Sequence, residues 1–332
     1  MSATSWRLVV TTTFAAALAV SLLAVPPNRP ARAATLCVNP TGTGGCYATI
    51  QAAVDAASPG DTINIAAGTY TETVTIHTAN LSLNGAGADR ITLNGYMYHD
   101  ASDTTISATS FTGEMWLGCI WNRTTGSITL TNVSIANCRT NGIFNEGAAN
   151  LTNVAITNNG GIRPTGWGVD NMGTANLTNV TLSGNFQYAI SNPGLATLTN
   201  TTIAHNEIAN SGTMTLSNTI IAYNPTNCAN VGGGNYISLG YNLSDDNTCP
   251  LNNTSDITDT DPLLAPCGYY GGSTRTHALL VGSPAIDTGD DAACPPTDQR
   301  GFARPYGSHC DIGAYEYQPP FWLFFFFPFI SK

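Results

Sequence analysis

One pattern, (Ile/Val)-x-Asn-x-Gly-x-x-x-Leu-(Thr/Ser)-Asn-(Val/Thr)-x-(Ile/Leu), occurs four times, starting at Ile143, Val169, Ile190 and Ile208. The starts are 26, 21 and 18 residues apart, yet the Leu always comes eight residues on, at Leu151, Leu177, Leu198 and Leu216. A fixed segment joined to a variable one marks a stacked repeat. The runs are short, β-branched and free of helical period, so the expected fold is a solenoid of strands.

In a strand, alternate side chains share a face, which suits Ala175 with Leu177 and Val180 with Leu182. Leu177 and Val180 are three apart, so the chain turns between them. Asn179, which tolerates the left-handed conformation, marks that corner. Asn132, Asn153, Asn200 and Asn218 hold the same place, and on stacking their amides should bond rung to rung. Asn145, Asn171, Asn192 and Asn210 mark the end of another strand, and the Gly two residues later is expected to supply a bend. Each coil of 18–26 residues then reads as three short strands, and a sandwich of hairpins fits the constant spacing poorly.

At the front, Arg7 precedes an apolar run from Leu8 to Val25, and Ala31-Arg32-Ala33 supplies a small-x-small cleavage site before Ala34. This reads as a secretory signal peptide over residues 1–33, and the Pro26-Pro27 break disfavours a membrane anchor. The formal net charge of −10, with a single lysine at Lys332, repels nucleic acid and anionic lipid. Nine cysteines in an exported chain suggest disulfides. Nearest-neighbour pairing gives Cys37 with Cys46, Cys119 with Cys138, Cys228 with Cys249 and Cys294 with Cys310, leaving Cys267 over; other connectivities are open. With no Cys-x-x-Cys and scattered histidines, neither a metal site nor a cofactor is expected.

Ahead of the repeats, Ile50, Ala53, Val54 and Ala57 share one helical face, and Ser58-Pro59-Gly60-Asp61 stops the helix. Such a helix would cap the first coil within residues 34–60, covering open strand edges. Strands are expected at 62–65, 74–76, 81–83 and 91–93. The stretch Thr49-Ile-Gln-Ala-Ala-Val-Asp-Ala-Ala-Ser-Pro-Gly-Asp-Thr-Ile63, with Ala67-Gly-Thr-Tyr-Thr-Glu72, resembles the opening of right-handed parallel β-helix proteins of the pectin-lyase-like superfamily. That resemblance implies an all-β, right-handed single-stranded parallel β-helix over residues 61–245.

The last third resembles the choice-of-anchor Q domain, through Gly240-Tyr-Asn-Leu243, Asp261-Pro-Leu-Leu264, Gly271-Gly-Ser-Thr-Arg-Thr-His-Ala-Leu279, Gly282-Ser-Pro-Ala-Ile-Asp-Thr-Gly289, Thr297-Asp-Gln-Arg-Gly301 and Asp311-Ile-Gly-Ala-Tyr-Glu316. The resemblance implies bacterial export and surface display, with residues 246–317 packed on the helix, and no established reaction. Ala265-Pro-Cys-Gly departs from the short polar turn usual there. The apolar tail, residues 318–332, is too short to span a bilayer and resembles a sorting tail.

Chemistry is sought where the repeat varies, because solenoid insertions build loops on one face. The longest gap, from Ile156 to Val169, carries Arg163 and Trp167, which suit a sugar carboxylate or hydroxyl and a sugar ring face. Outward positions on successive coils read Gly142 and Phe144, Gly168 and Asp170, Ala189 and Ser191, Glu207 and Ala209. Asp170 and Glu207 would then lie two rungs or roughly 10 Å apart, near the upper end for an inverting carboxylate pair. Tyr188 and His205 would flank the same groove.

The Asn-Thr-Asp, His-Gly and Arg-Ile-Lys motifs of polygalacturonase-like hydrolases are absent, Asp-Asp occurs only after the four repeats, at Asp245-Asp246 and Asp290-Asp291, and the solenoid has no lysine. The expected function is therefore a secreted or cell-surface module, monomeric, binding a polysaccharide or another surface component without catalysis. A polysaccharide lyase or glycoside hydrolase is the alternative. An ice- or mineral-binding solenoid is the remote third, suggested by outward threonines such as Thr129, Thr131, Thr197 and Thr199. Unequal coil lengths speak against the lattice match it would need.

Overall fold

The computed structural model describes residues 32–113, 118–161, 166–229 and 232–319. Nearly all of the expected signal peptide, Arg163 and nearly all of the apolar tail lie outside them. From Thr35 to Ser244 the described chain is a right-handed parallel β-helix in which each coil visits three sheets in turn. The first sheet has ten strands, from Thr35–Val38 to Asn235–Ser238; the second has nine, from Gly68–Tyr70 to Leu243–Ser244; the third has eight, from Thr73–Ile76 to Cys228–Ala229. All pairings within these sheets are parallel.

The repeat pattern maps directly onto register. Leu130, Leu151, Leu177, Leu198 and Leu216 are Cα partners on successive rungs of the first sheet. All are at most 1% exposed, in a core running the length of the helix. Each such side chain contributes about 1.5–3 kcal/mol by burial.

Two corners are constant. Asn132, Asn153, Asn179, Asn200 and Asn218 turn the chain from the first sheet to the second with φ between 47° and 57°. Asn153 donates to Asn132, Asn179 to Asn153 and Asn218 to Asn200, at 3.1–3.2 Å. Between the third sheet and the first, Asn122, Asn145, Asn171, Asn192 and Asn210 are fully buried and joined head to tail at 2.7–2.8 Å. Every amide points its NH₂ toward the next rung, so Asn122 Oδ1 is left to accept from His99 Nδ1–H at 2.7 Å. Burial holds the His99 pKa below its ordinary value, which keeps the ring neutral.

The glycine after each of these asparagines has a different role from the bend expected of it. Gly147, Gly173, Gly194 and Gly212 do not have positive φ. A Cβ there would lie 2.0–2.2 Å from the carbonyl oxygen of the glycine one coil earlier, so close stacking excludes any side chain. The earlier coils vary at the other two corners as well, but from Ser127 to Ser217 the third corner, from the second sheet to the third, takes all the length variation. A further buried ladder begins it, with Asn159 donating to Asn185 and Asn185 to Asn206 at 2.9 and 3.1 Å.

The cap helix spans Ile50–Ala56, with Ile50, Ala53 and Val54 buried; Thr49 accepts from Ala52 N–H as N-cap, and Glu72 accepts the Ile50 and Gln51 N–H groups. At the other end, residues 246–319 form only isolated bridges and lie along the outer face of the second sheet. There Ala204, Ile220, Ala222 and Leu243 bury a second core against Leu264, Leu279, Ala285 and Ile312. The same segment bonds the Asn corner: Asn179 donates to Thr297 O, Asn200 to Asp311 O, and Asn218 accepts from Asp290 N–H.

Candidate functional site

Disulfides join Cys37 to Cys46, Cys119 to Cys138, Cys228 to Cys249 and Cys294 to Cys310, while Cys267 is free. The second sheet is covered by the C-terminal segment over its later rungs, and the first carries no ionisable group in its strands beyond Tyr236. The third sheet's outer face concentrates the chemistry.

On that face, Thr75, Tyr98, Trp121, Phe144, Asp170 and Ser191 are Cα partners on six successive rungs. Each of the last five precedes a member of the His99-Asn ladder, so the buried amides fix the outward direction of their neighbours. The rings form a continuous strip. Tyr98 and Trp121 centroids are 5.4 Å apart, Trp121 and Phe144 5.9 Å, and His77 extends the line at 6.0 Å from Tyr98.

Polar groups rim the strip. The Arg123 guanidinium lies 5.1 Å from the Trp121 ring centre and 5.8 Å from Tyr98. Its Nε is 3.6 Å from Glu146 Oε2, which also accepts from Trp121 Nε1–H at 2.8 Å. His77 Nδ1 bonds Asp100 on the far side. Arg123 and Glu146 remain 41% and 25% exposed, so both have capacity for further partners.

Asp170 continues the row at the end of the strip. It is 7% exposed, and burial, opposed by a hydrogen bond with Ser191, pushes its pKa up to about 6. Glu207 is not on the row expected for it. An irregularity in the Tyr188–Asn192 strand sets Glu207 opposite Tyr188, which itself opposes Trp167, while Asp170 lines up with Ser191 and Ala209. Two rungs plus two residues of strand separate the carboxylates by about 12 Å, wider than the roughly 6.5–9.5 Å of an inverting pair.

Trp167 and Tyr188 form a second, half-buried row beside the first. His205 lies elsewhere, at the variable corner with φ 58°, its ring 5.5 Å from Tyr223 and 5.8 Å from His277 of the C-terminal segment. Among the described residues, no group of three or more His, Cys, Asp or Glu side chains is placed to hold a metal ion.

The fold is found in solved structures. Pectate lyase Pel9A superposes with a TM-score of 0.50 over 86% of this chain and 96% of its own, at 15% identity. The likeness is one of fold. An alginate lyase from Paenibacillus sp. str. FPU-7 aligns at a TM-score of 0.46 over 64% of this chain and 76% of its own, also at 15% identity. No model of a known protein family matches the chain, and no curated protein does.

Proposed function

We propose that this chain is a secreted or cell-surface β-helix, displayed through its choice-of-anchor Q-like last third, that binds a neutral polysaccharide along the third sheet. The aromatic strip carries this reading. Three consecutive rings at one-rung spacing give an extended polymer several apolar ring contacts in line. Glu146, Asp100 and Arg123 stand beside them to accept from and donate to sugar hydroxyls. A uronate polymer is disfavoured because Arg123 already has Glu146 beside it and the whole chain is acidic. Four disulfides fit an oxidising compartment.

One observation favours hydrolysis as a second reading: Asp170 lies in line with the rings and holds a proton to about pH 6, as a general acid requires. The two readings separate in one experiment. The chain from Ala34 onward is screened against neutral and acidic polysaccharides while new reducing ends are assayed in the same wells. Binding without products, reduced at least tenfold in Trp121→Ala with an unchanged melting temperature, supports the binding module. Products lost in Asp170→Asn make the protein a hydrolase, and the absence of both binding and products removes the aromatic strip from consideration.

A further inference from the structure

The first sheet differs from the other two in chemistry. Its outward side chains form long, strictly aligned rows over the inner coils. One row holds Thr129, Asn150, Asn176, Thr197 and Thr215; the next, two residues along, holds Thr131, Thr152, Thr178, Thr199 and Ser217. Toward the N-terminus the first row continues as Thr105, Ser82 and Thr62 and the second as Ser107, Asn84 and Asn64, on the strands at Thr104–Ser107, Ser82–Gly85 and Thr62–Ile65.

Not one Asp, Glu, Lys, Arg or His stands in any of the ten strands, although the chain has 21 acidic residues and 11 basic ones. The side chains are ordered by each other: Asn176 donates to Asn150 at 2.9 Å, and Ser107 to Asn84 at 3.1 Å. Unequal coil length does not disturb the rows. Over the inner coils all of the variation falls in the corner between the second and third sheets, and the first sheet pairs residue for residue from the Ser127–Thr131 strand to the Thr213–Ser217 strand.

The result is a two-dimensional mesh of uncharged hydroxyl and amide groups, with Leu195 and Ile237 exposed beside it. Rungs repeat at about 4.8 Å and alternate residues at about 6.6 Å along the strand. Few partners present a complementary mesh. A soluble glycan would meet no ring face here, and a charged protein or lipid surface would meet no counter-charge. A crystal face of ice carries no net charge, excludes ions, and repeats its oxygens in two directions at distances of this order. We infer that the first sheet is an ice-binding face, with threonine hydroxyls and asparagine amides hydrogen-bonded to lattice water and threonine methyls filling the space between. This surface is separate from the aromatic strip.

The test is thermal hysteresis and ice-crystal shaping by the chain from Ala34 onward, compared with Thr152→Tyr, Thr178→Tyr and Trp121→Ala. Hysteresis lost at least tenfold in the two threonine variants and unchanged in Trp121→Ala, with circular dichroism and melting temperature preserved throughout, supports the inference. Equal hysteresis in Thr152→Tyr, Thr178→Tyr and the parent moves ice binding off this face and overturns it. No hysteresis or shaping in the parent overturns it as well. Adsorption to crystalline cellulose or self-association abolished by the same threonine variants, in a parent without ice activity, assigns the face to that other occupant. Trp121→Ala reports independently on the glycan reading, so either can fail alone.

Discussion

The solenoid and the segment that straps it, residues 246–319, achieve burial by opposite means. The solenoid repeats a few neutral contacts, namely stacked aliphatics, three asparagine ladders and a glycine column, so each rung resembles the last. The strap has almost no regular structure and centres on single, unrepeated charged groups. Asp298 is fully buried, accepts from the backbone of Arg300, Phe302 and Glu316, and pairs with Arg300 at 2.7 Å. Arg304 donates to the carbonyls of Asp311 and Gly313 and lies 3.7 Å from Glu316. A chain that stacks on copies of itself satisfies its polar groups by register, whereas one that crosses a sheet once must bring dedicated partners.

The comparison breaks most visibly at its two centres. Leu177→Asp places a charge in the apolar column and should cost about 5 kcal/mol or more, abolishing the main transition in a thermal melt. A native melt in that variant would falsify the register described above. Asp298→Ala leaves Arg300 and three backbone donors without their acceptor and should cost about 3–5 kcal/mol. Because the strap is attached to the second sheet, limited proteolysis should release fragments beyond residue 246 while hydrogen exchange of the inner coils stays slow; concerted loss of both would show that the regions fold as one.

Acid sharpens the contrast. His277 sits between the regions, donating through Nδ1 to Ala265 O and accepting at Nε2 from Ser183 Oγ, and burial pulls its pKa down from 6.5 to about 4. The unfolded chain binds this proton more readily, so the contribution is complete above pH 6.5 and is lost as pH falls toward 4, by roughly 3 kcal/mol. Asp311, raised to about 7 by burial and Glu316, acts in the opposite sense, losing stability as pH rises from 3.8. The acid slope of strap stability should therefore flatten in His277→Asn; an unchanged slope would assign it to another group. The smallest effect is expected from Asn171→Ala, where one ladder amide is lost and its neighbours' groups stay buried, at about 1–3 kcal/mol, read as faster exchange in the adjoining coils.

Most of the solenoid was legible because its determinants are local and repeated: the Asn corner, the Leu column and the cap helix each announce themselves within a few residues. The role of the glycine was not, since the carbonyl that crowds it belongs to the previous coil. The aromatic strip was also missed, although a signal existed. Phe144 already stands in one outward column with Asp170, and Ile120-Trp-Asn122 shares the three-residue core of Ile143-Phe-Asn145, so starting the alignment one coil earlier adds Trp121 to that column. Glu207 was misplaced for the converse reason, a one-residue irregularity in a strand whose pattern looks regular. The partners of the strap were out of reach, because Thr181 with Gln299 and Asn200 with Asp311 are more than a hundred residues apart.

The confinement of length variation to one corner over the inner coils bears on how such a chain evolves. The segments Ala148 to Gly173 and Thr174 to Gly194 begin and end at equivalent points of the coil, with the same corner chemistry on either side. Duplicating or excising one of them in the gene would rejoin like to like and leave every ladder continuous. Coil number can thus drift by unequal recombination without a folding penalty at the seam, while loops at the free corner diversify independently. Molecular length and surface specificity are two separately heritable traits in this architecture.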